Sequence, residues 1–198
     1  MGVMSLDRGL RLRPPATFRP EVMEDHQLVI KAAEGDDGAF EDLVRRHTDA
    51  AWRMARSMLR DDFAAEEAVQ DTFLKAHRNL HTFRGDAKVS TWLLSICHRT
   101  CIDRLRRKRL DVVSLEDVRR EKGTEDHTDL KIAVEEALDG LPHDEREAFV
   151  LVEVVGHSRE DAADIVGVPP STMRSRVSRA REKLVRALGD AREEATGD

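Results

Sequence analysis

The chain has 198 residues, with 33 Lys and Arg against 39 Asp and Glu, a net charge of −6 and 4% aromatic residues. That length allows one or two domains, and the scarcity of aromatics suits small helical bundles built on Leu, Val, Ala and Met better than a large β-sandwich. An acidic total excludes binding nucleic acid through overall charge, so any such binding has to be local. Cys97 and Cys101 are too few for a disulfide framework.

Taken in chain order, residues 1–23 are expected to be disordered. "LRLRPPATFRP" mixes Arg with Pro and lacks a helical period. It has no apolar core, so it does not read as a signal peptide. No apolar run reaches the about 20 residues that a membrane span needs. The cytoplasm is the expected location.

Patterned sequence begins after Met23. Between Ala39 and Leu59, apolar residues recur at three and four (Phe40, Leu43, Val44, Ala51, Met54, Ala55, Met58), which predicts an amphipathic helix. "RDD" (60–62) supplies N-caps for the next helix. There Phe63, Val69, Phe73 and Ala76 are expected on one side, with Glu66, Glu67, Gln70 and Asp71 on the other. A loop, "HTFRGDAK" (81–88), precedes a long helix over Val89–Arg109, whose apolar side carries Trp92, Leu93, Ile96, Cys97, Cys101 and Leu105. Its C-terminal half is basic, with Arg99, Arg104, Arg106, Arg107, Lys108 and Arg109 against Asp103. A loop with Phe83, Arg84, Asp86 and Lys88 beside a basic helix can hold unpaired bases by stacking and charge neutralisation. It equally fits a surface helix end, where cations are favoured anyway.

Residues 111–128 read as a polar linker with six acidic and three basic residues. Helical pattern resumes near Asp129, with Val134, Ala137, Leu138 and Leu141 on one face. Pro142 suits the first position of a further helix, which carries Phe149, Leu151 and Val152 and ends at Gly156.

"SREDAADIVGVPPSTMRSRVSRAREKL" (158–184) has the grammar of a helix-turn-helix. Ser158 and Asp161 form a capping box, Gly167 suits a left-handed helix end, and Pro169 and Pro170 break and restart the helix. On a helical wheel Met173, Val177, Ala180 and Leu184 form an inner stripe. Ser171, Ser175, Ser178 and Arg179 lie opposite, flanked by Arg174 and Arg176. Arg can grip guanine O6 and N7 in the major groove, and Ser can donate to bases or phosphates. This charge concentration on an acidic chain is therefore aimed at DNA. Cys97, His98 and Cys101 invite a metal reading, but thiols four apart on an apolar helix side read better as packed core.

These residues resemble a family. "AAEEAVQDTFLKAHRNLHTFRGDAKVSTWLLSICHRTCIDRLRRKR" (64–109) is similar to the σ2 domain of bacterial sigma factors of the extracytoplasmic-function (ECF) class, within the sigma-70 family. "ALDGLPHDEREAFVLVEVVGHSREDAADIVGVPPSTMRSRVSRAREKL" (137–184) is similar to their σ4 domain. The resemblance covers about residues 24–188. It implies an all-α fold of two small helical domains, a σ2 bundle and a σ4 helix-turn-helix, joined by a flexible linker. The implied division is a disordered extension (1–23), σ2 (24–110), an acidic linker (111–128), σ4 (129–188) and a C-terminal tail (189–198).

The resemblance further implies no catalytic chemistry, cofactor or metal. Core RNA polymerase would be bound by σ2 on the β′ clamp coiled coil, through Glu66, Glu67, Gln70 and Asp71, and by σ4 on the β flap. Promoter DNA would be read at the −10 element by Phe83, Arg84, Asp86, Lys88 and Trp92, with Arg99, Arg106 and Arg107 on phosphates. The −35 element would be read by Ser171, Thr172, Arg174, Ser175, Arg176, Ser178 and Arg179. An anti-sigma factor would hold the chain compact until a stress or envelope signal releases it. Trp92 is followed by Leu93 where primary sigma factors have two adjacent aromatics, which implies weaker melting and a stricter promoter.

Overall fold

In the computed structural model, the backbone is described for residues 24–112 and 129–196, and side chains for 24–108 and 133–189. The expected disorder of 1–23 lies outside the described residues. So does the expected linker, except for residues 111 and 112, which end a helix. All regular structure among the described residues is helical.

The first unit holds α1 (Asp25–Ala33), α2 (Asp37–Leu59), α3 (Asp62–Arg78), a 3-10 turn (Leu80–Thr82) and α4 (Val89–Val112). Local chemistry fixes its boundaries. Asp36 caps α2 by accepting from the Ala39 N–H at 3.1 Å, and Asp61 caps α3 by accepting from Ala64 N–H at 2.8 Å. Between them Arg60 ends α2 in the left-handed region, at φ 58°. Leu28, Leu43, Met54, Met58, Leu94, Cys97 and Cys101 are essentially sealed from solvent and form the bundle core. The hydrogen bond with Cys97, together with burial, pushes the Cys101 thiol well above its ordinary range. Cys97 in turn donates to the Ala51 carbonyl at 3.6 Å. Both thiols are core packing.

The second unit holds α5 (Asp129–Asp139), α6 (His143–Phe149), a π-helical segment (Val150–Val154), α7 (Arg159–Val166) and α8 (Pro170–Thr196). Ser158 caps α7 by accepting from Asp161 N–H at 3.0 Å, and Gly167 closes it at φ 76°. Pro142 stands one residue before α6, as its N-cap. Helix α8 runs on to Thr196, through the residues expected as a tail.

The two units pack against each other and share one continuous apolar cluster, with α6 against α2 and α7 against α4. Arg146, buried on α6, donates from Nε to the Ser57 carbonyl at 2.7 Å. Arg60 reaches back from the first unit to Asp139. His98 Nε2 lies 3.0 Å from Glu147 Oε1, both on the inside of this junction. Desolvation here pushes His143 below its ordinary value, so the junction favours the neutral ring.

One sequence expectation fails. The sequence pattern puts Phe63 on the inner side of α3 with Val69, Phe73 and Ala76, yet it is 71% exposed. The inner face is Ala65, Ala68, Val69, Thr72, Phe73 and Ala76. At about 100° per residue, Phe63 falls within a roughly 60° arc shared with Glu67, Gln70 and Leu74, on the outer face.

Candidate nucleic-acid and polymerase interfaces

Helix α8 presents two faces. Met173, Val177, Ala180 and Leu184 are buried, whereas Ser171, Arg174, Ser175, Ser178 and Arg179 are exposed and Thr172 is half-buried. The inner stripe seats on α6 and α7, which fixes the outward face as one rigid surface. Its cations differ in freedom. Arg176 is only 18% exposed and lies 3.2 Å from Asp144 on α6. Arg179 is 55% exposed, with Nε 3.4 Å from the buried Glu145, which also holds Lys183 at 2.8 Å. Arg174 has no partner among the described residues. The Ser175 hydroxyl donates back to Thr172 O at 2.9 Å, and that of Ser178 to Glu182 at 3.2 Å. The sequence showed this stripe of charge but not the acidic α6 side chains that orient it.

The loop before α4 forms a second surface. Phe83 is half-buried, while Arg84, Asp86 and Lys88 are exposed. Phe83 sits between two rings, with Trp92 at 5.4 Å and His26 of α1 at 5.6 Å, the latter edge-on. Trp92 is half-buried and packs on the core, so it serves both the loop and the bundle. A cleft of about 400 Å3 opens beside Phe83, bounded by Ala87, Lys88, Val89 and Ser90 and, across it, by Glu24, Asp25, His26 and Arg46. Asp25 ties α1 to α2 through Arg46 at 2.8 Å and His47 at 2.9 Å. Sequence reading missed α1 altogether. Its nine residues are too short for a clear period, and its role appears only when it lies against the loop.

Down α4, Arg99, Arg106 and Arg107 are exposed, as is Asp103. Arg99 and Arg106 border a second cleft, of about 330 Å3, whose opposite wall is the end of α7, Asp164 to Gly167. Lys88 is held at 2.6 Å by Asp161 of α7. The loop before α4, the outer side of α4 and the helix-turn-helix are thus face to face.

On α3, Glu66, Glu67 and Gln70 are exposed and Asp71 is half-buried. Two of the four are already engaged: Arg104 of α4 donates to Glu67 at 2.8 Å and to Asp71 at 2.6 Å. Arg104 therefore braces the acidic face and leaves the cationic patch to its neighbours. Phe63 and Leu74, 71% and 57% exposed, flank this face as bare apolar side chains.

Among the described residues no group of His, Cys, Asp and Glu could hold a metal ion, and no helix is long and apolar enough to cross a membrane.

Two family models match the chain in this order: sigma-70 region 2 over residues 43–110, and sigma-70 region 4 over residues 131–184. The chain is 40% identical over 184 residues to the ECF RNA polymerase sigma factor SigM of Mycobacterium tuberculosis, covering 89% of this chain and 94% of that one. It is 33% identical to the RNA polymerase sigma-H factor of Pseudomonas aeruginosa, covering 83% and 94%. Among solved structures it is similar to the sigma factor RpoE of Bartonella quintana in complex with the anti-sigma factor NepR, with a TM-score of 0.65 and 31% identity over 76% of this chain and 96% of that one. It is also similar to CnrH in complex with the cytosolic domain of CnrY, with a TM-score of 0.62 and 31% identity over 84% and 97%. With region 2 and region 4 in the order their helices stand in the fold, the chain belongs to the ECF sigma factors of the sigma-70 family.

Proposed function

We propose that this chain is an ECF sigma factor that directs core RNA polymerase to specific promoters and performs no catalysis itself. The observation that carries the reading is the pairing of two exposed cationic surfaces on one acidic chain: the outer face of α8, and the loop and outer face of α4. A regulator that reads one operator needs only the first.

The roles divide by surface. Arg174, Ser175, Ser178 and Arg179, with Ser171, Thr172 and Arg176 around them, read the −35 element in the major groove. Arg179 has the reach and exposure for a bidentate guanine contact. Phe83, Arg84, Asp86, Lys88 and Trp92 take an unpaired base of the −10 strand, and Arg99, Arg106 and Arg107 neutralise its phosphates. Extruding that base costs a few kcal/mol of unstacking, so the aromatic cluster at Phe83 is where the cost is recovered. Glu66, Glu67, Gln70 and Asp71 face the β′ clamp coiled coil, with Phe63 and Leu74 adding apolar contact. The second unit engages the β flap. The working division is the one read from the sequence: 24–110, 111–128 and 129–188.

The packed arrangement of the two units is the resting form. The end of α7 faces Arg99 and Arg106, and Asp161 holds Lys88, so the second unit sits against one part of the −10 surface until the units separate. An anti-sigma factor stabilising this form keeps the chain off polymerase, and the similarity to two sigma factors solved with anti-sigma partners supports that reading. Work of this kind belongs in the cytoplasm.

Run-off transcription tests the proposal. Purified chain, sigma-free core polymerase and a fragment carrying the gene's own upstream region should give a discrete transcript that core alone does not. The absence of both a transcript and co-elution with core polymerase would sink the reading and favour an operator-binding regulator.

A further inference from the structure

The cleft beside Phe83 is built from two sources. One wall is the −10 loop and the start of α4. The other is α1, a helix that no −10 reading of the sequence uses. His26 stands at the join. Its ring meets Phe83 at 5.6 Å and an interplanar angle of 66°. It also lies directly under the loop: a Cβ added at Gly85 would come within 2.7 Å of His26 Cε1. Gly85 has φ +80°, a backbone conformation that favours glycine, and a side chain there would also displace the imidazole. Asp25, the neighbour of His26, is fastened to α2 through Arg46 and His47, which gives this wall a fixed position relative to the bundle.

The contents of the wall suit a nucleobase. The cleft, about 400 Å3, falls in the roughly 300–1,000 Å3 range of small-ligand sites. Two rings meeting edge-to-face form a corner in which a planar base can stack on one and touch the other. His26 is exposed, and its ring nitrogens have no hydrogen-bond partner among the described residues. An imidazole offers one donor and one acceptor to a base edge, a combination that neither Phe83 nor Lys88 provides. Lys88, exposed at the rim, can turn from Asp161 to the adjoining phosphate once the units separate.

We infer that His26 is a specificity-determining residue for the −10 element: α1 forms the far wall of the base pocket, and the His26 imidazole reads the edge of the extruded base while Phe83 stacks on it. This rests on the −10 reading of the loop proposed above.

The test uses the full chain with core polymerase and a set of promoters in which each −10 position is changed to all four bases. Wild type, His26→Ala, His26→Phe, Phe83→Ala and Lys88→Ala are compared by initial transcript rate. His26→Ala should cut transcription from the preferred base by about tenfold, equivalent to about 1.4 kcal/mol, and flatten discrimination at one position while the others keep their order. His26→Phe, which keeps a ring but no hydrogen-bonding edge, should restore rate without restoring discrimination. An unchanged base profile for both His26 variants would overturn the inference, as would a uniform loss at every base and position, the mark of a merely structural ring. If Phe83→Ala and Lys88→Ala still shift the profile in that case, the loop reading stands and only the α1 wall fails. If none of the four variants shifts it, the −10 reading of the loop fails as well.

Discussion

Lys88 Nζ lies 2.6 Å from Asp161 Oδ2, so a residue at the rim of the cleft beside Phe83 is held by the first helix of the helix-turn-helix. Asp161 also accepts from the Ser158 hydroxyl at 2.7 Å while its own N–H donates to Ser158 Oγ, so the carboxylate that steadies the Ser158 cap of α7 also fastens the two units together. The Lys88 ammonium, against the opposing effect of burial and with help from Ser158, holds the Asp161 carboxyl below the usual carboxylate range.

A pH dependence of the packed form follows. Asp161 binds its proton less tightly when packed against Lys88 than when the units are apart. Its contribution is therefore complete above the ordinary carboxylate range and is lost as pH falls through the lowered value. Lys88 is 67% exposed, so solvent screening limits the effect to about 0.5 kcal/mol. Asp161→Asn should remove this acid-side loss and shift the ensemble modestly toward separated units. Energy transfer between dyes placed one on each unit, followed from neutral pH into the acid range, checks it. An acid-side loosening of the same size in Asp161→Asn as in wild type would assign the effect to other groups.

Arg146 fastens the same junction from within. It is 4% exposed, and its Nε donates to Ser57 O across the boundary. Nη1 lies 3.4 Å from the Asp139 carbonyl. Truncation to Ala would leave the Ser57 carbonyl without this donor and remove a large buried side chain from the junction. Losses of this type cost about 3 kcal/mol. Arg146→Ala should therefore lower the urea midpoint and split a single unfolding transition into two. A single transition with an unchanged midpoint would show that Arg146 does not couple the two units.

Much of this architecture was legible in the sequence because it is written in local chemistry. The Asp61 cap, the Ser158–Asp161 box, the left-handed Gly167 and the Met173–Val177–Ala180–Leu184 stripe each depend on residues within a few positions of one another. What was not legible depends on residues far apart. Phe63 is a separate case: it reads as core by residue type, although the α3 wheel itself sets it with Glu67 and Gln70 on the outer face. The partners of Arg104, Arg176 and Arg179 lie on other helices, so a run of cations in the sequence could not be separated into braces and free contacts. Nor could a polar linker indicate that the two units pack on each other.

That separation into braces and contacts predicts different outcomes along α8. Arg179, 55% exposed, is free to turn from Glu145 to a base. Arg179→Ala should weaken binding to the preferred −35 sequence by about 1–3 kcal/mol and relax preference at one base pair. Arg176, 18% exposed against Asp144, is largely spent on holding α6 to α8. Arg176→Ala should lower thermal stability by about 1 kcal/mol and weaken all −35 sequences alike. Holoenzyme binding to a panel of −35 variants, with melting curves for each protein, distinguishes the two. Relaxed base preference in Arg176→Ala with unaltered melting would reverse the assignment.

The outer face of α3 makes the last prediction. Phe63 and Leu74 share an arc with Glu67 and Gln70, and a solvent-exposed Phe at 71% contributes little to the fold it stands on. Burying it against a partner is worth roughly 1.5–3 kcal/mol, whereas the neighbouring Glu67 is already committed to Arg104. Phe63→Ala should therefore weaken core polymerase binding by about tenfold or more while leaving the melting temperature within about a degree of wild type, and Glu67→Gln should have the smaller effect on affinity. Fluorescence titration of labelled chain with core polymerase, paired with thermal melts, measures both. A large fall in melting temperature for Phe63→Ala would place that ring in the core after all, and an unchanged affinity with unchanged melting would move the polymerase contact off this face.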